Sequence, residues 1–354
     1  MYLAAIDGIN LTHLPRDADG QLISYNRDRP LVLAPGNRAD VFFLPSETGE
    51  AALMMSGHLS LEDVGIDIEP LIGTGPAHFR QPFTQELMIF DIAAPTQQTI
   101  SSIQDLAQVE MTFLTALDEN LLRLQQTAPY RGHLRPFAKP IDIQRVISFD
   151  MAAGKSGRLP PPSGVRDRVF QINGRDYNAI NEGEELSHHT MQGMNDYLGK
   201  FPQDGGRGPD GQTPWPMRAK TEEQWKVVNT SGAKHTFHIH VNPFWVHDIE
   251  EHQGGELVSV RETNPLDPRL NRWQDTIDIP SDGGSVTLKH RLGAYVGLYV
   301  LHCHILQHED RGMMMNVLLV PHDERDPEAF FKLQNERNRK PNRSINGGSQ
   351  HGGH

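Results

Sequence analysis

Cysteine is almost absent from this sequence. Cys303 stands alone among 354 residues, so no disulfide forms within the chain. No apolar run approaches the roughly 20 residues that a membrane-spanning helix needs. Basic charge is in deficit, with 33 Lys and Arg against 45 Asp and Glu, a net charge of -12. That balance argues against nucleic acid or an anionic membrane surface as the main partner, and leaves a small molecule or a metal ion. The opening residues Met1 to Gly8 lack a basic segment, and Asp7 interrupts their apolar run, so they do not read as a secretory signal. They read as a strand entered partway. What is present, 37% hydrophobic and 22% charged residues, fits a soluble globular protein. The length suffices for two domains, each with a sizeable core.

Residues 1–95 carry short apolar runs separated by turn signals. Ala4-Ala5-Ile6 precedes an Asp7-Gly8 turn, Leu31-Val32-Leu33 precedes a Pro35-Gly36-Asn37 turn, and Val41 to Leu44, Ala51 to Met55 and Leu87 to Phe90 follow. This is the pattern of a sandwich or barrel. Residues 96–145 read as a connector with one or two short helices, from the partly helical spacing of Leu106, Val109, Phe113, Leu114, Leu117 and Leu121. A second β series occupies 146–325. It runs through Arg168 to Asn173, Trp225 to Val228, Thr276 to Ile279, Ser285 to Leu288 and Met315 to Val320, with a long loop over 181–219. The charged, then Asn/Gly/Ser-rich stretch 326–354 reads as a disordered tail.

Histidine is the outlier, with 18 residues. Most are scattered, His188, His189, His247 and His252 among them, and the last two read as solvated residues of a loop from Phe244 to Gly255. Two tight clusters stand apart: His235-Thr236-Phe237-His238-Ile239-His240, and His302-Cys303-His304 followed by His308-Glu309-Asp310-Arg311-Gly312-Met313. Side chains alternate faces along a strand. His302 and His304 therefore share one face and Cys303 takes the other; His238 and His240 share a face, and His235 has the opposite parity. Pairing the two strands makes two environments back to back. A turn at Asp310-Arg311-Gly312 would return His308 and Met313 to the Cys303 side. Two imidazoles and a thiolate with a weak thioether form a blue-copper electron-transfer site. The other environment, His238, His240, His302 and His304, is all imidazole and suits copper that handles oxygen species.

These two motifs resemble the third and fourth copper-binding motifs of the bacterial three-domain, laccase-like multicopper oxidases. The resemblance implies His235, Cys303 and His308 as type 1 copper ligands with Met313 axial. It implies His238 as a type 2 ligand, and His240, His302 and His304 as type 3 ligands. Glu309 matches an acidic residue that delivers protons to bound oxygen in bacterial members; a salt bridge to Arg311 or elsewhere is the structural alternative. Ile6-Asp7-Gly8 and Leu33 to Val41 resemble the middle cupredoxin domain of the family. Phe170 to Gly174, Trp225 to Asn229 and Arg272 to Thr276 resemble the last one. Thr236 stands where many members have proline, and Asp275 reads as a structural residue.

The fold expected is thus all-β: tandem cupredoxin-like Greek-key sandwiches, a partial middle domain over 1–95 and a complete copper-binding domain over 146–325. The function implied is one-electron oxidation of a phenolic, aromatic or metal-ion reductant at type 1 copper, coupled to reduction of O2 to water at a trinuclear copper cluster. A periplasmic or extracellular location is implied by the resemblance alone. A complete enzyme needs two further His-x-His motifs. None occurs in residues 1–234, so the chain is read as lacking the N-terminal domain that would carry them, or as receiving them from another subunit. Made alone, it is expected to be inactive, with residues 1–95 its least stable part. The alternatives are an electron-transfer cupredoxin, which leaves the histidines flanking Cys303 unexplained, and a protein like copper nitrite reductase, which would place only one histidine beside the cysteine. A copper-storage or copper-sensing protein is a third, and the methionines are too dispersed to favour it.

Overall fold

The computed structural model describes residues 1–26, 28–43, 49–60, 80–92, 103–127, 143–153, 168–173 and 216–327, with single positions 137, 141, 329, 330 and 333. Most of the loop expected over 181–219, the tail beyond 333, and His188 and His189 lie outside the described residues.

At the N-terminal end, β1 (Tyr2–Ile6) is buried along its whole length and pairs antiparallel with β2 (Ile9–Asn10) and β3 (Ala39–Phe42). The Asp7-Gly8 turn between β1 and β2 has φ of 52° and 75° at its two residues. Positive φ at both centres matches the right-handed twist of the flanking strands, which is why Asp-Gly suits it. Leu31 to Leu33 does not become a strand. It lies between Pro30 and Pro35; Val32 is 80% exposed, and of the three side chains Leu31 packs against Leu3, Ile23 and Tyr25. A separate antiparallel pair joins β4 (Gly49–Ser60) and β5 (Arg80–Ile92). The connector holds one 25-residue helix, α1 (Ile103–Thr127), where short helices were expected. No glycine or proline interrupts it, and Leu114 and Leu121, two turns apart, pack on Tyr2, Ala4 and Leu14.

The C-terminal region is a sandwich of two sheets. One contains, in spatial order, β14 (Thr276–Ile279), β10 (His235–Ile239), β16 (Gly297–Cys303), β17 (Met314–Val320) and β8 (Met217–Arg218). The other runs β12 (Glu256–Ser259), β11 (Phe244–Gln253), β15 (Ser285–Arg291), β9 (Glu222–Asn229), β6 (Ile143–Ala153) and β7 (Arg168–Ile172), with β13 (Trp273–Gln274) beside β11. Phe149, Trp225, Phe244 and Val286 of the second sheet share one core with Phe237, Leu301, Val317 and Leu319 of the first. Each such side chain contributes roughly 1.5–3 kcal/mol on burial. Few helices and two facing, mainly antiparallel sheets make the described residues an all-β sandwich.

Phe244 to Gln253 corrects the reading of this stretch as a loop, because it is a strand of the second sheet. Phe244, Val246 and Ile249 face the core, and the spacing breaks period two at a bulge between Val246 and Asp248. The extra residue hides the alternation from a sequence reading. A short helix, α2 (Val260–Thr263), follows β12.

Candidate metal centre

The site is built on β10 and β16, neighbours in the first sheet with Phe237 opposite Cys303 and His238 opposite His302. Residues opposite each other share a face, so Cys303 and His235 point into the sandwich while His238 and His302 lie on its other side. His240 and His304 follow directly where the two strands end.

On the inner side His235, Cys303 and His308 are all buried, and their ligand atoms lie within 4.8 Å of one another. His235 Nδ1 is 3.1 Å from His308 Nδ1, and Cys303 Sγ is 3.5 Å and 3.9 Å from those two nitrogens. Ser231 Oγ lies 2.8 Å from His235 Nε2, which fixes the ring with Nδ1 turned to the sulfur. Phe170 stacks on the His308 ring at 4.6 Å. Burial lowers the pKa of His235 to about 3 and raises that of the Cys303 thiol to about 12. His235 is thus a neutral donor here, and the thiol keeps its proton until a cation displaces it.

A short helix, α3 (Leu306–Asp310), carries His308 back toward Cys303. The chain then reverses at Gly312, whose φ of 111° only glycine adopts readily. Met313 N donates to the His308 carbonyl, and Cys303 N donates to the Met313 carbonyl. Met313 is fully buried in the same core as Cys303.

On the outer side the ligand atoms of His238, His240 and His302 lie within 4.8 Å of one another. The His304 ring joins them, its centroid 5.2 Å from that of His238 and 5.4 Å from that of His302. His240 Nε2 and His302 Nε2 are 3.3 Å apart. Burial, then the neighbouring histidines, depresses the pKa of His302 to about 4 despite a hydrogen bond with the Cys303 carbonyl. The Glu309 carboxylate sits 3.1 Å from His302 Nδ1. Burial raises its pKa above the usual range. The Arg311 guanidinium lies over the Phe170 ring at 5.0 Å.

Three residues of this neighbourhood were not singled out as site residues from the sequence. Ser231 orients His235, the Thr236 amide donates to Cys303 Sγ at 3.4 Å, and Asp275 lies 3.4 Å from His238 Nδ1 while its carbonyl oxygen is 3.0 Å away. Ser231 and Thr236 lie within four residues of His235, so proximity in sequence was their one available signal.

A soft thiolate grouped with imidazoles, back to back with an all-imidazole cluster, is a donor set that fits copper. These features define a β-sandwich with two neighbouring clusters of candidate metal ligands. The family model described as multicopper oxidase matches residues 181–323. A laccase of Bacillus subtilis (strain 168) is 37% identical over 100 residues, 27% of this chain and 19% of that protein. A laccase of Bacillus stratosphericus is 27% identical over 209 residues, 56% of this chain and 34% of that protein. A multicopper oxidase structure from the hyperthermophile Aquifex aeolicus gives a TM-score of 0.45 at 17% identity, covering 90% of this chain and 49% of that one. Over part of its length the chain is thus similar to multicopper oxidases, laccases among them, and its donor set fits the copper such proteins carry. It spans at most about a third of the length of these two curated laccases.

Proposed function

We propose that this chain forms the electron-accepting part, and part of the oxygen-reducing site, of a laccase-like oxidase. Such an enzyme removes electrons singly from a phenolic, aromatic or metal-ion reductant and passes them to O2, which leaves as water. The observation that carries this reading is the position of Cys303 between His302 and His304, with donor clusters on both sides of one strand. Copper held at the two clusters would supply one-electron exchange at the thiolate side and oxygen reduction at the imidazole side.

In this reading His235, Cys303 and His308, with Met313, would hold the type 1 ion, His238 would be the type 2 ligand, and His240, His302 and His304 would be type 3 ligands. The protein's own contribution is order and dryness. Ser231 holds the His235 ring, Phe170 backs His308, and complete burial of the inner cluster excludes water, which keeps rearrangement on electron exchange small. The Cys303 main chain and its bonded neighbours give a covalent path between the clusters. The Cys303 carbonyl, 3.2 Å from His302 Nδ1, favours the tautomer protonated there, with the Glu309 carboxylate 3.1 Å from the same nitrogen, which leaves Nε2 for the outer cluster. We assign to the Glu309 carboxyl the delivery of protons to reduced oxygen. The remaining imidazoles of a trinuclear cluster would come from a further domain or subunit. Such oxidases work outside the cytoplasm, in the periplasm or beyond.

Quantitative EPR of the copper-loaded chain tests the core of this reading. A type 1 signal corresponding to about one copper per chain is expected, and Cys303→Ser removes it. Absence of that signal from a folded, copper-loaded chain would overturn the assignment.

A further inference from the structure

Asp7 is a carboxylate buried at the junction between β1 and the copper-binding sandwich, and every group around it leads to the outer imidazoles. It accepts hydrogen bonds from the amides of Arg38, Asp275 and Thr276, at 3.0, 3.1 and 3.1 Å. The Asn37 side-chain amide donates to both of its oxygens, and reaches the Thr276 carbonyl at 2.9 Å. Next to it, Arg38 makes a two-pronged contact with the Asp275 carboxylate, 2.9 Å from Nη1 and 2.7 Å from Nη2. Asp275 in turn approaches His238 Nδ1, which also meets Thr276 Oγ1 at 2.8 Å. Burial works against the Asp275 charge, but hydrogen bonds with His238, Arg38 and Thr276 outweigh it and hold the carboxyl well below the usual range.

One residue earlier, Gly36 has a φ of 83°, and a Cβ placed there would meet the His304 ring at 2.5–2.7 Å. No real Cβ makes so close a contact with a ring. The turn therefore touches both strands of the site at once: Gly36 lies against the imidazole after β16, and Arg38 grips the loop that faces the imidazole of β10. These contacts join residues more than 230 positions apart in sequence.

We propose that the Gly36–Arg38 turn of the N-terminal sheet is a positioning element for the oxygen-side imidazoles, seating His304 against the bare Gly36 backbone and orienting His238 through Asp275. This rests on the copper reading of the outer cluster for its purpose, but the ring positions themselves are properties of the metal-free chain. Gly36 and Arg38 are positioning residues: Gly36 offers bare backbone beside the His304 ring, and Arg38 acts on His238 through Asp275.

The test compares the full chain with Gly36→Ala, Arg38→Gln and Arg38→Lys. Imidazole ¹⁵N NMR of the metal-free proteins reads ring tautomer and environment directly, and copper titration then reads the outer cluster separately from the thiolate-to-copper absorption of the inner one. Gly36→Ala is expected to shift the His304 ring signals, and Arg38→Gln those of His238. Both should weaken copper binding at the outer cluster by on the order of 10–100-fold, as loss of outer-shell partners does. The Cys303-dependent absorption should persist, which shows the variants are folded. Arg38→Lys keeps the charge without the fork and should recover only part of the loss. Unchanged His304 and His238 ring signals in folded variants would overturn the proposal. Shifted rings in the variants, together with a wild-type outer cluster that takes no copper, would support the positioning role and overturn the copper reading instead.

Discussion

The Cys303 sulfur is the atom on which the site turns, and backbone amides act on it beside the His235 and His308 imidazoles. Thr236 N donates to it at 3.4 Å, and the Ile305 amide, like that of Thr236, favours the ionised thiol against the burial that disfavours it. Hydrogen bonds to the thiolate withdraw density from the metal and favour its reduced state. Thr236 N is directed to sulfur, so proline at this position removes one such bond. Thr236→Pro is expected to lower the reduction potential of the copper-loaded inner site by on the order of 59 mV, tenfold in a one-electron equilibrium. Redox titration followed at the thiolate absorption band measures it. An unchanged potential with the band intact would show that this amide does not tune the sulfur.

At the scale of elements, the parallel pairing of β6 with β9 seals the sandwich beside the site. It carries a buried ion pair, Arg145 Nε to Glu223 Oε2 at 2.6 Å, and Trp225 Nε1 donates to the same oxygen at 2.8 Å. Removing one partner of such a pair leaves a charge in the core, at a cost of about 3–5 kcal/mol, whereas replacing both by apolar residues is close to neutral. Arg145→Met should therefore lower the urea midpoint steeply, and Arg145→Met with Glu223→Leu should recover most of the loss. Equal destabilisation by the single and double variants would assign the cost to packing instead.

The same elements show what the sequence discloses. Cys303 sits among alternating histidines, and alternation along a strand is a local rule, so the back-to-back clusters were legible before any coordinates. The all-β class followed from turn spacing. What was not legible is either irregular or distant. The bulge at Val246–Asp248 broke the period that would have marked β11 as a strand. The single helix α1 was masked by the modest apolar stripe of Leu114, Leu117 and Leu121, although no helix breaker lies within it. Asp7 and Arg38 meet Asp275 across more than 230 residues, and no local pattern announces such a contact.

For the molecule as a whole, acid is the expected weakness, and it lies in the core of the copper-binding sandwich. His290 on β15 is fully buried, its ring 4.2 Å from that of Trp225 and 5.9 Å from that of Phe244, and neither ring nitrogen has a hydrogen-bond partner among the described residues. Burial first, then the Arg145 charge, pushes its pKa to about 3. His247 on β11 is held at about 4 by burial and by Lys289 and Arg261. Both groups stay neutral in the folded chain at pH values where the unfolded chain, titrating near 6.5, has taken up a proton. The unfolded state then binds more protons, so stability falls as pH drops below about 6.5 and continues to fall toward the folded values. Each fully linked proton adds up to about 1.4 kcal/mol per pH unit. In the metal-free chain the urea midpoint should decline from pH 7 to pH 5. His290→Phe, which replaces one buried ring by another that takes no proton, should make that decline shallower by about one proton's worth. The comparison isolates His290, because every other histidine, those of the two clusters included, is common to both chains. Identical slopes would mean that water or a local opening solvates His290 in the folded state, and that the acid limit of this sandwich is set elsewhere.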